Sequence, residues 1–257
     1  MPDPIIFSWG IFTVRWYGLL IAAAMILGTA LALREVKRRN WDEEQFLNMI
    51  LVMLPLGVIG ARLYFVIFDW GYYSAHPEKI IATWEGGLAI HGGLIMGCLV
   101  ILFFSRRYHF GFANTLDVVA PSVILGQAIG RWGNFFNQEA YGYPVDPEKL
   151  PWAMLIDGAY RHPTFLYESL WNLLVFIFLL WFRRRPGRRS GDVILYYILL
   201  YSMGRFVIEG FRTDSLMVLG SFRIAQVVSL AAVLFAGITL WWRRRNHQDG
   251  GRIDNIR

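Results

Sequence analysis

A single cysteine, Cys98, stands in 257 residues. One thiol closes no intramolecular disulfide and builds no cysteine metal cluster; within an apolar run it is expected to be a small buried residue. Charge is scarce too, with 17% Asp, Glu, Lys and Arg against 56% hydrophobic residues and a mean hydropathy of +0.40. A soluble domain of this length would be more polar. The chain has no low-complexity tract, no internal repeat and no polar stretch long enough for a separate soluble domain. Met1-Pro2-Asp3-Pro4 offers no basic leading region, so no cleaved signal peptide is expected.

What fills the chain instead is apolar runs of membrane-spanning length, about 17–25 residues each. Seven are legible: about Trp16–Leu33, Phe46–Phe68, Leu88–Phe104, Thr115–Phe136, Phe165–Phe182, Val193–Ile208 and Phe222–Trp242. They predict an all-α, polytopic integral membrane protein of seven transmembrane helices, one domain over residues 1–257. The connectors 69–87 and 137–164 would form a small cap on one side. Asn137 to Thr164 holds Pro144, Pro147, Pro151 and Pro163 with Gly142 and Gly158, which suits a structured cover. Residues before Trp16 are rich in Ile, Phe and Trp and are expected along the membrane interface. Trp41-Asp42-Glu43-Glu44 has the chemistry of a helix start.

Basic residues are unevenly placed. Arg34, Lys37, Arg38 and Arg39 follow the first run, and Arg106 and Arg107 the third. Arg183, Arg184, Arg185, Arg188 and Arg189 follow the fifth, and Arg243, Arg244, Arg245, Arg252 and Arg257 the seventh. If seven spans alternate, these sixteen of 25 Lys and Arg share one side. The other side's connectors carry Arg15, Lys79, Lys149, Arg161, Arg212 and Arg223. The positive-inside rule then sets the N-terminus periplasmic and the C-terminus cytoplasmic. The net charge of +6 is accounted for by membrane orientation and calls for no nucleic acid.

Polar groups inside the runs carry the chemistry. Gly130-Arg131-Trp132-Gly133-Asn134-Phe135-Phe136-Asn137-Gln138-Glu139-Ala140-Tyr141-Gly142 puts a guanidinium, three amides and a carboxylate at the end of an apolar run. An arginine there needs a partner. If the helix continues, Gln127, Arg131, Asn134 and Gln138 form one polar stripe at i, i+4, i+7 and i+11. Tyr201, Arg205, Glu209 and Arg212 make a second stripe, in which Glu209 can neutralise either arginine. Arg205 lies near 18 Å along its helix and Arg62 about 24 Å along its own. Arg62 is equally a snorkelling side chain, Tyr17 equally an interfacial tyrosine, and His91 beside Gly92 and Gly93 is either a packed residue or a functional one. Tyr17, Arg62, His91, Arg131, Asn134, Asn137, Glu139, Arg205, Glu209 and Arg212 all fall in the outer half of the bilayer or at its edge. One cationic cavity open to the outer leaflet explains that shared depth, and guanidiniums suit the phosphate of a lipid headgroup.

At these residues the chain resembles the prolipoprotein diacylglyceryl transferase family, whose signature reads G-R-x-G-N-F-x-N-x-E-x-x-G. Gly130, Arg131, Gly133, Asn134, Phe135, Asn137, Glu139 and Gly142 fill every fixed position. The likeness extends to Arg15-Trp16-Tyr17-Gly18, to His91-Gly92-Gly93-Leu94, and to Tyr201, Arg205, Glu209 and Arg212. Met96 departs from it, where many relatives are expected to carry glycine; this touches local helix packing. The resemblance implies a multi-pass protein of the bacterial inner membrane. It would move the diacylglyceryl group of phosphatidylglycerol onto the lipobox cysteine of an exported prolipoprotein, forming a thioether and releasing glycerol 1-phosphate. No metal or organic cofactor is implied. Arg131 and Arg205 would hold the phosphate and Asn134 and Asn137 the headgroup. Glu139 and Glu209 would hold the arginines in register. His91 would take the thiol proton, unless the arginine field alone lowers the thiol pKa. Tyr17, Tyr201 and Arg212 complete the substrate site. A secondary transporter of a phosphorylated or other organic anion is the alternative, although such proteins often show two related halves and a midplane site. A scaffold joined by Arg–Glu pairs is a third reading, and it leaves the asparagines unexplained.

Overall fold

The computed structural model describes residues 3–10, 12–156, 158–213, 217–218 and 222–253. Met1, Pro2 and Arg257 lie outside the described residues, as does the side chain of Arg252. The chain divides into two compact units, residues 1–28 with 119–257, and residues 29–118.

The helices are α1 (Trp16–Arg38), α2 (Glu43–Phe68), the single turn α3 (Trp70–Tyr73), α4 (Ile90–Arg107), α5 (Phe112–Asn137), α6 (Thr164–Phe182), α7 (Asp192–Glu209) and α8 (Ile224–Ile253). Each sequence-predicted span coincides with one of them, with ends shifted by up to a few residues apart from the longer α8. Among the described residues six are long and apolar enough to cross a membrane: α1, α2, α4, α5, α6 and the Ile224–Arg245 part of α8. That is the pattern of a multi-pass membrane protein. α7 is not among the six; within 18 residues it carries Asp192, Arg205 and Glu209.

The chain is not purely helical. Ile5–Trp9 (β1) and Phe12–Arg15 (β2) pair antiparallel where an interfacial stretch is expected. Met154–Ile156 (β3) pairs with Ala159–Arg161 (β4) inside the long connector, and Met217–Val218 (β5) with Phe222–Arg223 (β6) ahead of α8. The long connector is therefore structured, as its length suggests. Isolated bridges Gly142–Arg212 and Pro144–Arg161 stitch it further.

In the 29–118 unit, Asp42 caps α2 by accepting from the Gln45 N–H at 3.1 Å, with Glu43 and Glu44 on the positive end of the helix. α2 packs on α4 through small residues. A Cβ on Gly92 would overlap the Gly60 carbonyl, and one on Gly60 would lie 2.6 Å from Met96 Cβ. Gly60 thus leaves the room that Met96 takes. In the other unit, α7 packs on α6 and α8. Ala120, Ile124, Val175, Leu179 and Val193 form the core there, ringed by aromatic side chains. The opposite faces are apolar and exposed: Leu174 at 62%, Phe235 at 62% and Ile238 at 62%. An apolar surface of that kind has lipid as its natural solvent. Cys98 belongs to such a face; it is exposed, not buried as expected.

Candidate active site

α5 ends at Asn137 because Gln138 turns left-handed, at φ 55°. The polar stripe therefore stops short of Gln138. The chain folds back, the Glu139 N–H donating to the Asn134 carbonyl at 3.0 Å. This brings the Glu139 carboxylate onto its own helix end. Its Oε1 accepts from Asn134 Nδ2 at 2.9 Å and Asn137 Nδ2 at 3.3 Å. Glu139 was expected to brace an arginine; it braces the two asparagines. Asn134 Oδ1 then accepts from Arg131 Nη1 at 3.3 Å, completing a chain from carboxylate through amide to guanidinium.

The carboxylate that binds Arg131 is Glu168, one turn into α6, which sequence reasoning missed. Arg131 Nη2 lies 2.5 Å from Glu168 Oε2. Arg205 Nη1 donates to Glu168 Oε1 at 2.6 Å, and Arg212 Nη1 stands 3.6 Å from the same oxygen. Glu209 takes the other side, 2.7 Å from Arg205 Nη2 and 3.9 Å from Arg212 Nε. α7 stops at Glu209, so Arg212 reaches back from the turn beyond the helix and does not extend its stripe. Two buried carboxylates, with 4% of each side chain exposed, thus collect three guanidiniums from α5, α7 and that turn. Glu168 Oε2 and Glu209 Oε2 are paired by charge at short range without an aligned hydrogen bond. Such burial is costly for each ion alone and is tolerated because the charges offset one another.

A fourth arginine, Arg223 of β6, donates through Nη1 to the Glu209 carbonyl and through Nη2 to the Tyr143 hydroxyl at 2.8 Å. It ties the long connector to the end of α7. Sequence reasoning counted Arg223 only as a connector charge.

Two of the signature glycines, Gly133 and Gly142, have steric reasons. The Tyr17 ring lies against Gly133, where any Cβ would overlap it, and Trp16 stacks on Phe136 with centroids 4.7 Å apart. Tyr17 is thereby held beside the Arg131 end of α5. At Gly142 a Cβ would come 2.6 Å from His162 Cβ and 2.9 Å from the Phe211 carbonyl, which lets Gly142 bridge to Arg212. Tyr201 stacks on Tyr197 at 5.8 Å, whose hydroxyl donates to Gln127 Oε1 at 3.3 Å.

Arg62 and His91 belong to the 29–118 unit. Arg62 is buried, and it neither snorkels nor presents itself to a ligand. Its Nε donates to the Ile80 carbonyl at 2.8 Å, Nη2 to Lys79 O at 2.5 Å, and Nη1 to Gly86 O at 2.7 Å and Gly87 O at 2.9 Å. One guanidinium therefore clasps the connector between α2 and α4. His91 lies in the first turn of α4, exposed, with its ring 5.7 Å from that of Tyr64. Among the described residues no group of three or more His, Cys, Asp or Glu is placed to hold a metal ion.

Comparison with known proteins gives this arrangement its kin. The family described as prolipoprotein diacylglyceryl transferase matches residues 4–242. A phosphatidylglycerol–prolipoprotein diacylglyceryl transferase of Streptococcus agalactiae is 46% identical over 251 residues, covering 95% of this chain and 97% of its own. Proteins of the same name from Geobacillus kaustophilus and Streptococcus mutans are each 47% identical, and each match covers 96% of this chain and 97% of the relative. With nearly every residue covered at that identity, the chain belongs to the prolipoprotein diacylglyceryl transferase family.

Proposed function

We propose that this chain transfers the diacylglyceryl group of phosphatidylglycerol to the lipobox cysteine of a prolipoprotein, at the arginine cluster centred on Glu168. The observation that carries the reading is three guanidiniums from separate segments collected on two buried carboxylates, a cluster suited to the phosphate oxygens of a phosphodiester. The cysteine sulfur attacks the glycerol carbon that bears the phosphate ester. The new S–C bond is a thioether, the C–O bond breaks, and its electron pair goes to phosphate oxygen. Glycerol 1-phosphate leaves with a second negative charge developing. Arg131 and Arg205 stabilise that charge, which is where preorganised donors have most effect on rate. Each guanidinium has five N–H donors, more than two carboxylate contacts can occupy. Glu168 and Glu209 fix the forks in place, so no reorganisation is needed when the charge appears.

Asn134 and Asn137, oriented by Glu139, hold the glycerol headgroup, with Tyr17, Tyr201 and Arg212 on its flanks. His91 takes the thiol proton. An imidazole ring nitrogen can accept a proton, and the thiolate is the reactive form of the cysteine. The role rests on the likeness of His91-Gly92-Gly93-Leu94 to the family and on this chemistry.

In the membrane, α7 also spans, sixth in chain order, and brings the six apolar helices to seven. Asp192 pairs with Arg243 of α8, Arg205 with Glu168 of α6, and Glu209 with Arg205 and Arg212, so these charges need not meet lipid. The basic ends of α1, α4, α6 and α8 face the cytoplasm and the arginine cluster faces the outer leaflet of the inner membrane. Purified chain incubated with phosphatidylglycerol labelled in its glycerol backbone and a lipobox peptide should label the peptide cysteine. A transporter would leave the peptide unlabelled.

A further inference from the structure

A second group of arginines gathers at the other end of the same helices. Past the end of α6 and at the start of α7, Arg185, Arg188 and Arg189 join Arg243 and Arg244 of α8 around a cavity of about 580 Å³. Among the described residues, Asp192 is the one carboxylate in its lining. Glu168 and Phe182 lie fourteen residues apart on α6, about 21 Å by helix rise, so this cavity is separate from the cluster described above.

These arginines are held in order. Arg243 Nη1 donates to Asp192 Oδ1 at 2.8 Å and Nη2 to the Ser190 carbonyl at 2.8 Å. Arg189 Nη1 donates to the Arg243 carbonyl at 2.5 Å, and Arg244 to the Tyr196 hydroxyl. The Arg185 guanidinium lies 4.0 Å from the Trp181 ring centroid. Orientation in a membrane depends on how many basic residues a loop contains; it does not require them to wall a cavity. Five guanidiniums lining one cavity draw an anion to it by Coulomb attraction. The volume falls in the range of small-molecule sites, and Phe182, Tyr196 and Leu240 supply apolar wall. Immediately beside it, Trp181, Ile238 and Trp241 are exposed on the outer faces of α6 and α8, offering acyl chains a surface to follow.

We propose that this cavity binds the phosphate headgroup of an anionic phospholipid from the leaflet at the basic ends of α6 and α8. The inference rests on these helices crossing a bilayer, and not on the transfer reaction. Basic pockets between spans are suited to such headgroups, and guanidiniums bind phosphate bidentately. The exposed aromatic and aliphatic side chains beside the cavity favour a lipid over free phosphate.

The test uses the full chain in phosphatidylcholine nanodiscs doped with phosphatidic acid or phosphatidylglycerol, counting retained anionic lipid by native mass spectrometry. A parallel arm offers millimolar inorganic phosphate as competitor. The triple variant Arg185→Gln, Arg188→Gln, Arg244→Gln should retain one anionic lipid fewer than the parent. Its affinity for that lipid should fall about fivefold per arginine, roughly a hundredfold together. The single variant Arg185→Gln, which leaves the hydrogen bonds of Arg243 and Arg244 intact, should show the fivefold step alone. Equal retention by parent and single or triple variant overturns the proposal. So does displacement of the lipid by inorganic phosphate, which would assign the cavity to the free ion. Peptide labelling measured on the same samples separates this outcome from any failure of the transferase reading.

Discussion

At the scale of single residues, the cluster depends on geometry as much as on charge. Lysine keeps the charge of arginine but is a point donor without the planar fork. Arg131→Lys should therefore lower kcat/KM for peptide labelling by roughly a hundredfold or more, the effect of losing one transition-state donor, while the protein still inserts. Near-normal kcat/KM would show that bidentate geometry is not used. Glu168 makes a different prediction. Removing one partner of a buried ion pair costs about 3–5 kcal/mol because the other charge is left uncompensated. Glu168→Gln should lower both activity and resistance to denaturant in detergent, since Arg131 and Arg205 lose a shared anion. A variant as stable as the parent would contradict the bracing role. For His91 the informative readout is rate: His91→Ala should lower kcat/KM for peptide labelling by roughly a hundredfold or more, the contribution of a positioned base. Unchanged kcat/KM would show that the arginine field alone activates the thiol.

Among elements, helix contacts are set by glycines. At Gly92 on α4, a methyl group would overlap the Gly60 carbonyl of α2. Gly92→Ala should force α2 and α4 apart at a cost of about 1–3 kcal/mol, visible as a lower thermal midpoint. The helices themselves were legible because apolar runs of spanning length have few other uses. So was the gathering of Arg131, Arg205, Glu209 and Arg212, since polar stripes on apolar helices must find one another. Glu168 was missed although its signal was present: it is the one charged residue within α6. Thr164 and Asn172, at i−4 and i+4, share its helix face, but both are uncharged, so this stripe stands out less than those that carry arginine. Arg62 misled for the opposite reason. Its depth in the helix was readable, but its four carbonyl partners lie in a connector whose path no periodicity encodes. The hairpin β1–β2 escaped notice because five consecutive residues of exposed, largely apolar strand carry no alternation to read.

For the whole molecule, one set of charges explains both the site and the ambiguity in span count. Asp192, Arg205 and Glu209 keep α7 from standing out as an apolar span, yet each is paired within the fold. Orientation follows from the same reasoning and can be checked directly. In a Cys98→Ser background, Gly187→Cys in the basic loop should be shielded in intact cells from a membrane-impermeant maleimide. Asp146→Cys in the long connector should react. The reverse pattern would place the arginine cluster at the cytoplasmic face and break its link to exported substrates.

The central claim is that the guanidiniums gathered on Glu168 grip the phosphate from which the diacylglyceryl group departs. Its most direct test is transfer of backbone-labelled phosphatidylglycerol to a lipobox peptide by the purified parent chain and by Arg205→Ala in parallel. The account predicts label on the peptide cysteine with the parent and at most a trace with the variant, both proteins being present in the membrane at equal levels. Label at parental rates with Arg205→Ala, or none with the parent, would contradict it.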